Sequence, residues 1–267
     1  MQDVPERLNG VVSASESGGR LALAALAVAV VVVALAPPLS SEARRLEVYE
    51  ALQFVLLAIV APALVVLAAP WRLLGLAARA TPDADTEGVA VVDRPRMGDR
   101  MAAGRRRHPE PVRSLAFLLL ELAGVVAWRS PAAVDAVARH GWLSLVEAAT
   151  LMGAGIGLWL ELVESPPFMP RLARPRRIMA GAVAMWTVWV TAYLLGLSHA
   201  SVYEAFHHVA GRSLSVAADQ ALTTWVLWFT SLCAFLPVIF TNLIVWLRSG
   251  EDSDDALRRL VRDGRRH

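Results

Sequence analysis

Residues 50–69 read EALQFVLLAIVAPALVVLAA. Apart from one acid at the entry and Gln53, every side chain in this stretch is apolar. An α-helix rises 1.5 Å per residue, so a run of about 20 apolar residues matches a hydrocarbon core about 30 Å thick. Pro62 falls inside the run, and a proline is tolerated in a bilayer helix when neighbouring groups serve the carbonyl it frees. The stretch therefore predicts a membrane-spanning helix rather than a buried segment of a soluble domain.

Five further runs of similar character flank it, at 21–39, 114–130, 142–163, 178–198 and 221–247. The whole chain of 267 residues is 56% hydrophobic and 19% charged, with a mean hydropathy of +0.47, too apolar for an ordinary soluble domain. The first run follows Arg20 and resembles a secretory signal, but its core is too long. Pro37-Pro38 is also followed by Arg44-Arg45 rather than by small residues suited to cleavage. The expected fold is all-α, a polytopic bundle of six transmembrane helices. A tail over 1–20 precedes the membrane domain over 21–247, and a second tail follows over 248–267.

All 26 basic residues are arginine, and their distribution sets the orientation. The N-terminal tail, the 70–113 and 165–178 connections and the C-terminal tail hold 21 of them. Only Arg44, Arg45, Arg129, Arg139 and Arg212 fall on the alternate side. The positive-inside rule then places both termini and the 70–113 loop in the cytoplasm. That loop lacks hydrophobic periodicity and reads as flexible. Its arginines are not interleaved with aromatics, so no nucleic-acid partner is expected.

Ionisable groups in spanning helices are expensive, and each needs a reason. Glu50, Glu147 and Asp219 lie at the outer starts of helices two, four and six, where with Gln53 and Gln220 they would form one polar layer. Such a layer is a candidate cation site. The competing reading is that acids near a helix start complement the dipole, with Asp219 an N-cap just ahead of its helix. Glu121 lies near the middle of helix three, beyond the reach of any cap. Glu161 and Glu164 approach the cytoplasmic end of helix four, where Arg171 and its neighbours are placed to neutralise them. The histidines His108, His140, His199, His207, His208 and His267 all fall outside the spanning runs. Cys233 is alone, so no disulfide or cysteine-based metal site can form, and no nucleophile–base motif is present. No catalytic residue and no enzyme activity are expected.

Several short motifs in order resemble the CtaG-type cytochrome c oxidase assembly factors, multi-pass bacterial proteins associated with copper delivery. Asp219-Gln220-Ala221-Leu222-Thr223-Thr224-Trp225-Val226-Leu227-Trp228 is similar to the family's D-Q-x-L-x-G-x-x-M-W entry to its last helix. Glu50-Ala51-Leu52-Gln53-Phe54, with Ala61-Pro62-Ala63-Leu64 and Ala69-Pro70 behind it, resembles the H-M-x-Q-H, A-P-x-L and G-A-P series. Trp128-Arg129-Ser130-Pro131 and Asp135-Ala136 stand where the family has W-H-x-P and D/E-A, and Ser144 to Ala148 aligns with H-x-x-E-H. Val202-Tyr203-Glu204-Ala205-Phe206 is similar to L-Y-P-x-Y.

The resemblance implies help in building a haem–copper oxidase, with oxidase subunits or another respiratory membrane complex as partners within the lipid bilayer. At the family's histidine positions, however, this chain carries Glu50, Phe54, Arg129, Ser144 and Ala148. Imidazole suits copper better than carboxylate does, so family-type copper ligation is not expected and no other cofactor is implied. Two rival readings are a structural accessory subunit and a cation or proton carrier using Glu50, Glu121 and Glu147.

Overall fold

The computed structural model describes residues 4–73, 111–198, 202–207, 209 and 213–264. Most of the 70–113 loop, together with His108, His199, His208, Arg212 and His267, lies outside them. The described residues form helices and no strand beyond one isolated bridge between Ser165 and Phe168.

In chain order these are α1 (Val4–Leu35), α2 (Leu39–Glu42), α3 (Glu47–Val55), a π-helical turn (Leu56–Val60), α4 (Ala61–Ala68) and α5 (Pro70–Leu73). Next come α6 (Pro111–Trp128), α7 (Pro131–Arg139), α8 (Leu143–Leu162), α9 (Arg174–Gly196), a 3₁₀ turn (Glu204–Phe206) and α10 (Val216–Gly264). Five stretches are long and apolar enough to cross a membrane: Gly18–Glu42, Glu47–Arg72, Leu143–Leu162, Arg174–Gly196 and Val216–Gly250. Val112–Trp128 and Pro131–Arg139 pass the same test only together, as a pair bent by 68°, so the spans number five, or six if this bent pair crosses as one. The break has a local cause: Pro131 disfavours helical geometry at Ser130, whose hydroxyl then accepts from the Ala133 N–H and starts α7.

Three boundaries differ from those read in the sequence. α1 begins at Val4 rather than near residue 21, because a helix can continue into water where no apolar face is needed. The second span begins at Glu47, and α10 begins at Val216, which puts Asp219 inside its first turn. Asp219 is therefore not the N-cap of its own helix; Ser215 fills that role by accepting from the Ala218 N–H at 3.2 Å.

The α3–α4 span is the centre of the bundle, with 67% of its apolar window buried against 11% for the first span. α1 packs along α4, α8 packs on both α4 and α6, and α10 packs on α3 and α9. Pro62 removes the N–H that would serve Ala58, and the π turn is placed just before it. α8 comes in against this point through Gly155, where a Cβ would stand 2.7 Å from the Ala58 carbonyl oxygen. Ala69 closes α4 in the left-handed region at φ 47°, turning the chain into α5. There Trp71 and Arg72 both donate to the Pro166 carbonyl, at 3.0 and 3.1 Å, so the first turn beyond Ala69 is docked rather than loose.

Candidate functional site, a buried polar node at the starts of three helices

The structure brings Glu50, Glu147 and Asp219 near one another at the starts of α3, α8 and α10, and it engages Glu50 and Asp219 with protein groups. α3 begins at Glu47 after Leu46, which offers no side-chain cap. The first amides of a helix have no partner within it, and in an apolar setting that is costly. Asp219 of α10 supplies the partner across the interface: Oδ2 accepts from the Glu47 N–H at 3.0 Å and Oδ1 from the Val48 N–H at 2.9 Å. The carboxylate is fully buried.

The two glutamines do the complementary job at helix ends. Gln53 Nε2 donates to the Ala34 carbonyl in the last turn of α1 at 2.8 Å. Gln220 Nε2 donates to the Leu195 carbonyl in the last turn of α9 and to the Ser198 carbonyl beyond it. Asp219, Gln220 and Gln53 thus each close a neighbouring helix rather than their own.

One turn into α3, the Glu50 carboxylate meets the Arg129 guanidinium in a buried ion pair. Arg129 sits at the α6–α7 break, so its carbonyl is free of helix duty and accepts the Tyr203 hydroxyl at 3.1 Å. Its guanidinium carbon lies 5.4 Å from the Phe54 ring centroid and 5.3 Å from that of Tyr203, within cation–π range of both. Burial raises the Tyr203 phenol, which keeps it a neutral donor to that carbonyl. The loop carrying Tyr203 is held onto α7, where Asp135 Oδ1 accepts from the Ala205 N–H at 2.9 Å.

Glu147 and Glu47 complete the node. Both are buried, and Glu147 lies within electrostatic reach of Glu50 and Arg129. Three acids, Glu47, Glu50 and Glu147, thus lie within electrostatic reach of one guanidinium, whose Nε and Nη2 have no hydrogen-bond partner among the described residues. Beside Glu50 is a cavity of about 30 Å³, with Gln53, Ser144, Arg44 and Phe206 in its wall, room for about one water molecule. Among the described residues, no group of three or more His, Cys, Asp or Glu side chains is placed to hold a metal ion. His140 closes α7, with Nδ1 3.3 Å from the Ala136 carbonyl oxygen, and His207 follows the 3₁₀ turn.

Glu121 stands apart from the node. It is buried, makes no hydrogen bond or ion pair among the described residues, and lies eight residues before Arg129, about 12 Å along the helix axis. At the opposite end the expected neutralisation is present. Glu161 accepts from the Arg171 N–H at 2.8 Å and pairs with its guanidinium at 3.6 Å, while Glu164 pairs with Arg174 and Arg177 at 3.2 and 3.1 Å.

Arg129, Glu47, Asp135 and Tyr203 were not candidates on sequence grounds, and the signal for Arg129 lay in a pair of replacements. Two of the positions where the resemblance places histidine carry opposite charges here, Glu50 and Arg129, and opposite charges on neighbouring spans attract.

Comparison with known proteins agrees with the fold. The model of the cytochrome c oxidase caa3 assembly factor family matches residues 7–249 of the 267. Neither the curated proteins nor the solved structures provide a match. A match over nearly the whole chain, covering all but the final residue of the described spans, means that the chain belongs to the cytochrome c oxidase caa3 assembly factor family.

Proposed function

We propose that this chain assists assembly or stabilisation of a haem–copper cytochrome c oxidase in a bacterial inner membrane, without catalysing a reaction and without holding copper through family-type ligands. Both termini face the cytoplasm in this reading, and the polar node faces the outer leaflet. The observation that carries it is the Glu50–Arg129 ion pair. It fills two positions where the resemblance places imidazoles, with one hard anionic donor and one permanent cation. A guanidinium cannot ligate a metal and repels one nearby. Glu147 remains as a carboxylate beside that cation, a poor donor set for soft Cu(I). The node instead ties the start of α10 to that of α3, and α3 to the α6–α7 break, giving a partner a fixed outer surface.

Equilibrium competition for Cu(I) against a chelator tests the metal half of this reading. The purified protein should take up no stoichiometric copper. One tightly held Cu(I) per chain, lost in Glu50→Ala or Glu147→Ala, would overturn it. For the assembly half, pull-down from native membranes should recover oxidase subunits in substoichiometric amounts. A fixed one-to-one ratio with a mature respiratory complex would instead make the chain an accessory subunit.

A further inference from the structure

A groove of about 780 Å³ runs between α4, α8 and α10, away from the polar node. Its walls are apolar, with Ala63, Leu67, Trp159, Ala234, Pro237 and Val238 among them. Leu67, Cys233 and Val245 are exposed along it, so it opens sideways to whatever surrounds the bundle. On α10 the wall extends from Thr230 to Val245, about 22 Å along the axis, more than the half-thickness of a hydrocarbon core, about 15 Å.

The charged groups of the groove gather at one end, where Glu164 follows α8 and Arg174 and Arg177 open α9. Two guanidiniums share the single Glu164 carboxylate, leaving net positive charge at the mouth. Among the described residues, Arg174 donates only from Nη2, and Arg177 only from Nη1 and from Nε to the Leu172 carbonyl. Arg174 Nε and Nη1 and Arg177 Nη2 therefore keep donors to offer. A guanidinium presents these as a planar fork suited to phosphate oxygens.

We propose that this groove is a binding site for one anionic phospholipid, its acyl chains along α4 and α10 and its phosphate between Arg174 and Arg177. A groove open along its length to the bilayer and charged only at one end matches the division of a phospholipid into apolar chains and a polar headgroup. Charge argues for an anionic headgroup, since a zwitterionic one brings a cation of its own to an already positive mouth. The site rests on the membrane-spanning reading and not on the oxidase or copper roles.

Lipid retention by the full chain tests it. Protein released from nanodiscs of mixed phosphatidylglycerol and phosphatidylcholine is weighed by native mass spectrometry. One phosphatidylglycerol per chain should be retained in preference to phosphatidylcholine. The Arg174→Gln/Arg177→Gln variant should lose that preference about tenfold, and Glu164→Gln, which removes the competing carboxylate, should strengthen it. This opposite pair of signs separates headgroup recognition from damage to the fold. Equal retention of the two lipids, an unchanged preference in the arginine variant, displacement by inorganic phosphate alone, or a polypeptide found covering Cys233 would each overturn the proposal.

Discussion

Each end of the bundle buries a carboxylate–guanidinium pair, but the two pairs are built differently. Glu50 and Arg129 are 79 residues apart and join α3 to the α6–α7 break, whereas Arg171 reaches back only ten residues to Glu161. Glu161 also has the Arg171 backbone N–H on its second oxygen, although Arg171 Nε, like Arg129 Nε and Nη2, has no hydrogen-bond partner among the described residues. The first pair is a tertiary clamp and the second closes a turn. A clamp of this kind holds two spans at a fixed offset, and its loss should be felt by the whole bundle.

The largest expected effect follows from that. Removing one partner of a buried ion pair leaves the other charge unpaired in an apolar setting, at a cost of about 3–5 kcal/mol. Glu50→Leu or Arg129→Met should each lower stability by that order in SDS-driven unfolding from mixed micelles. The double variant Glu50→Leu/Arg129→Met should recover most of the loss, because well-packed apolar replacements of a buried pair are often neutral. Single variants as stable as the parent would end the contrast between clamp and turn.

Asp219 sharpens the same comparison at the next magnitude. Asp219→Ala strips both acceptors from the start of α3, a capping loss of about 1–2 kcal/mol. Asp219→Asn keeps one acceptor for the two amides and should lose less. If Asp219 capped only its own helix, the two variants would differ little from each other, and hydrogen exchange at Glu47 and Val48 would be unchanged. Faster exchange at those two amides in Asp219→Ala is the expected result.

Glu121 gives an effect of opposite sign. Its carboxyl is buried without a hydrogen bond among the described residues, a condition that costs about 1–3 kcal/mol. Glu121→Leu should therefore leave stability equal or higher, by about 1 kcal/mol. A clear loss would mean that the carboxyl serves a group beyond the described residues, and would revive the carrier reading, which reconstituted vesicles could then test by flux.

The sequence carried the six apolar stretches because a bilayer imposes one length and one polarity on any helix that crosses it. It also carried Glu161 and Glu164, whose arginines lie within a short connection. The destinations of Asp219, Gln53 and Gln220 were hidden for a physical reason. Each serves a backbone group on another helix, and backbone groups carry no residue-specific mark in the sequence. A loop position marks Arg129 only as one of the few arginines of the outer side and gives no hint that Phe54 and Tyr203 flank it. The break after Trp128 is written in Arg129-Ser130-Pro131, because the last apolar side chain is Trp128 even though a span drawn to bilayer length runs to residue 130.

The smallest effect lies at the arginine-rich end, where exposure differs between two adjacent acids. Glu161 is fully buried, whereas the Glu164 side chain is 45% exposed. An ion pair in contact with water contributes about 0–1 kcal/mol, because solvent already screens both charges. Glu164→Gln should therefore leave unfolding within about 0.5 kcal/mol of the parent, although the charge at the groove mouth rises by one unit. Glu161→Gln should lose measurably more, since it strands the Arg171 guanidinium, whose side chain is only 9% exposed. If the two variants unfold alike, burial is not what separates a structural pair from a surface one at this end. The clamp at the other end would then owe its strength to the span it bridges rather than to its dryness.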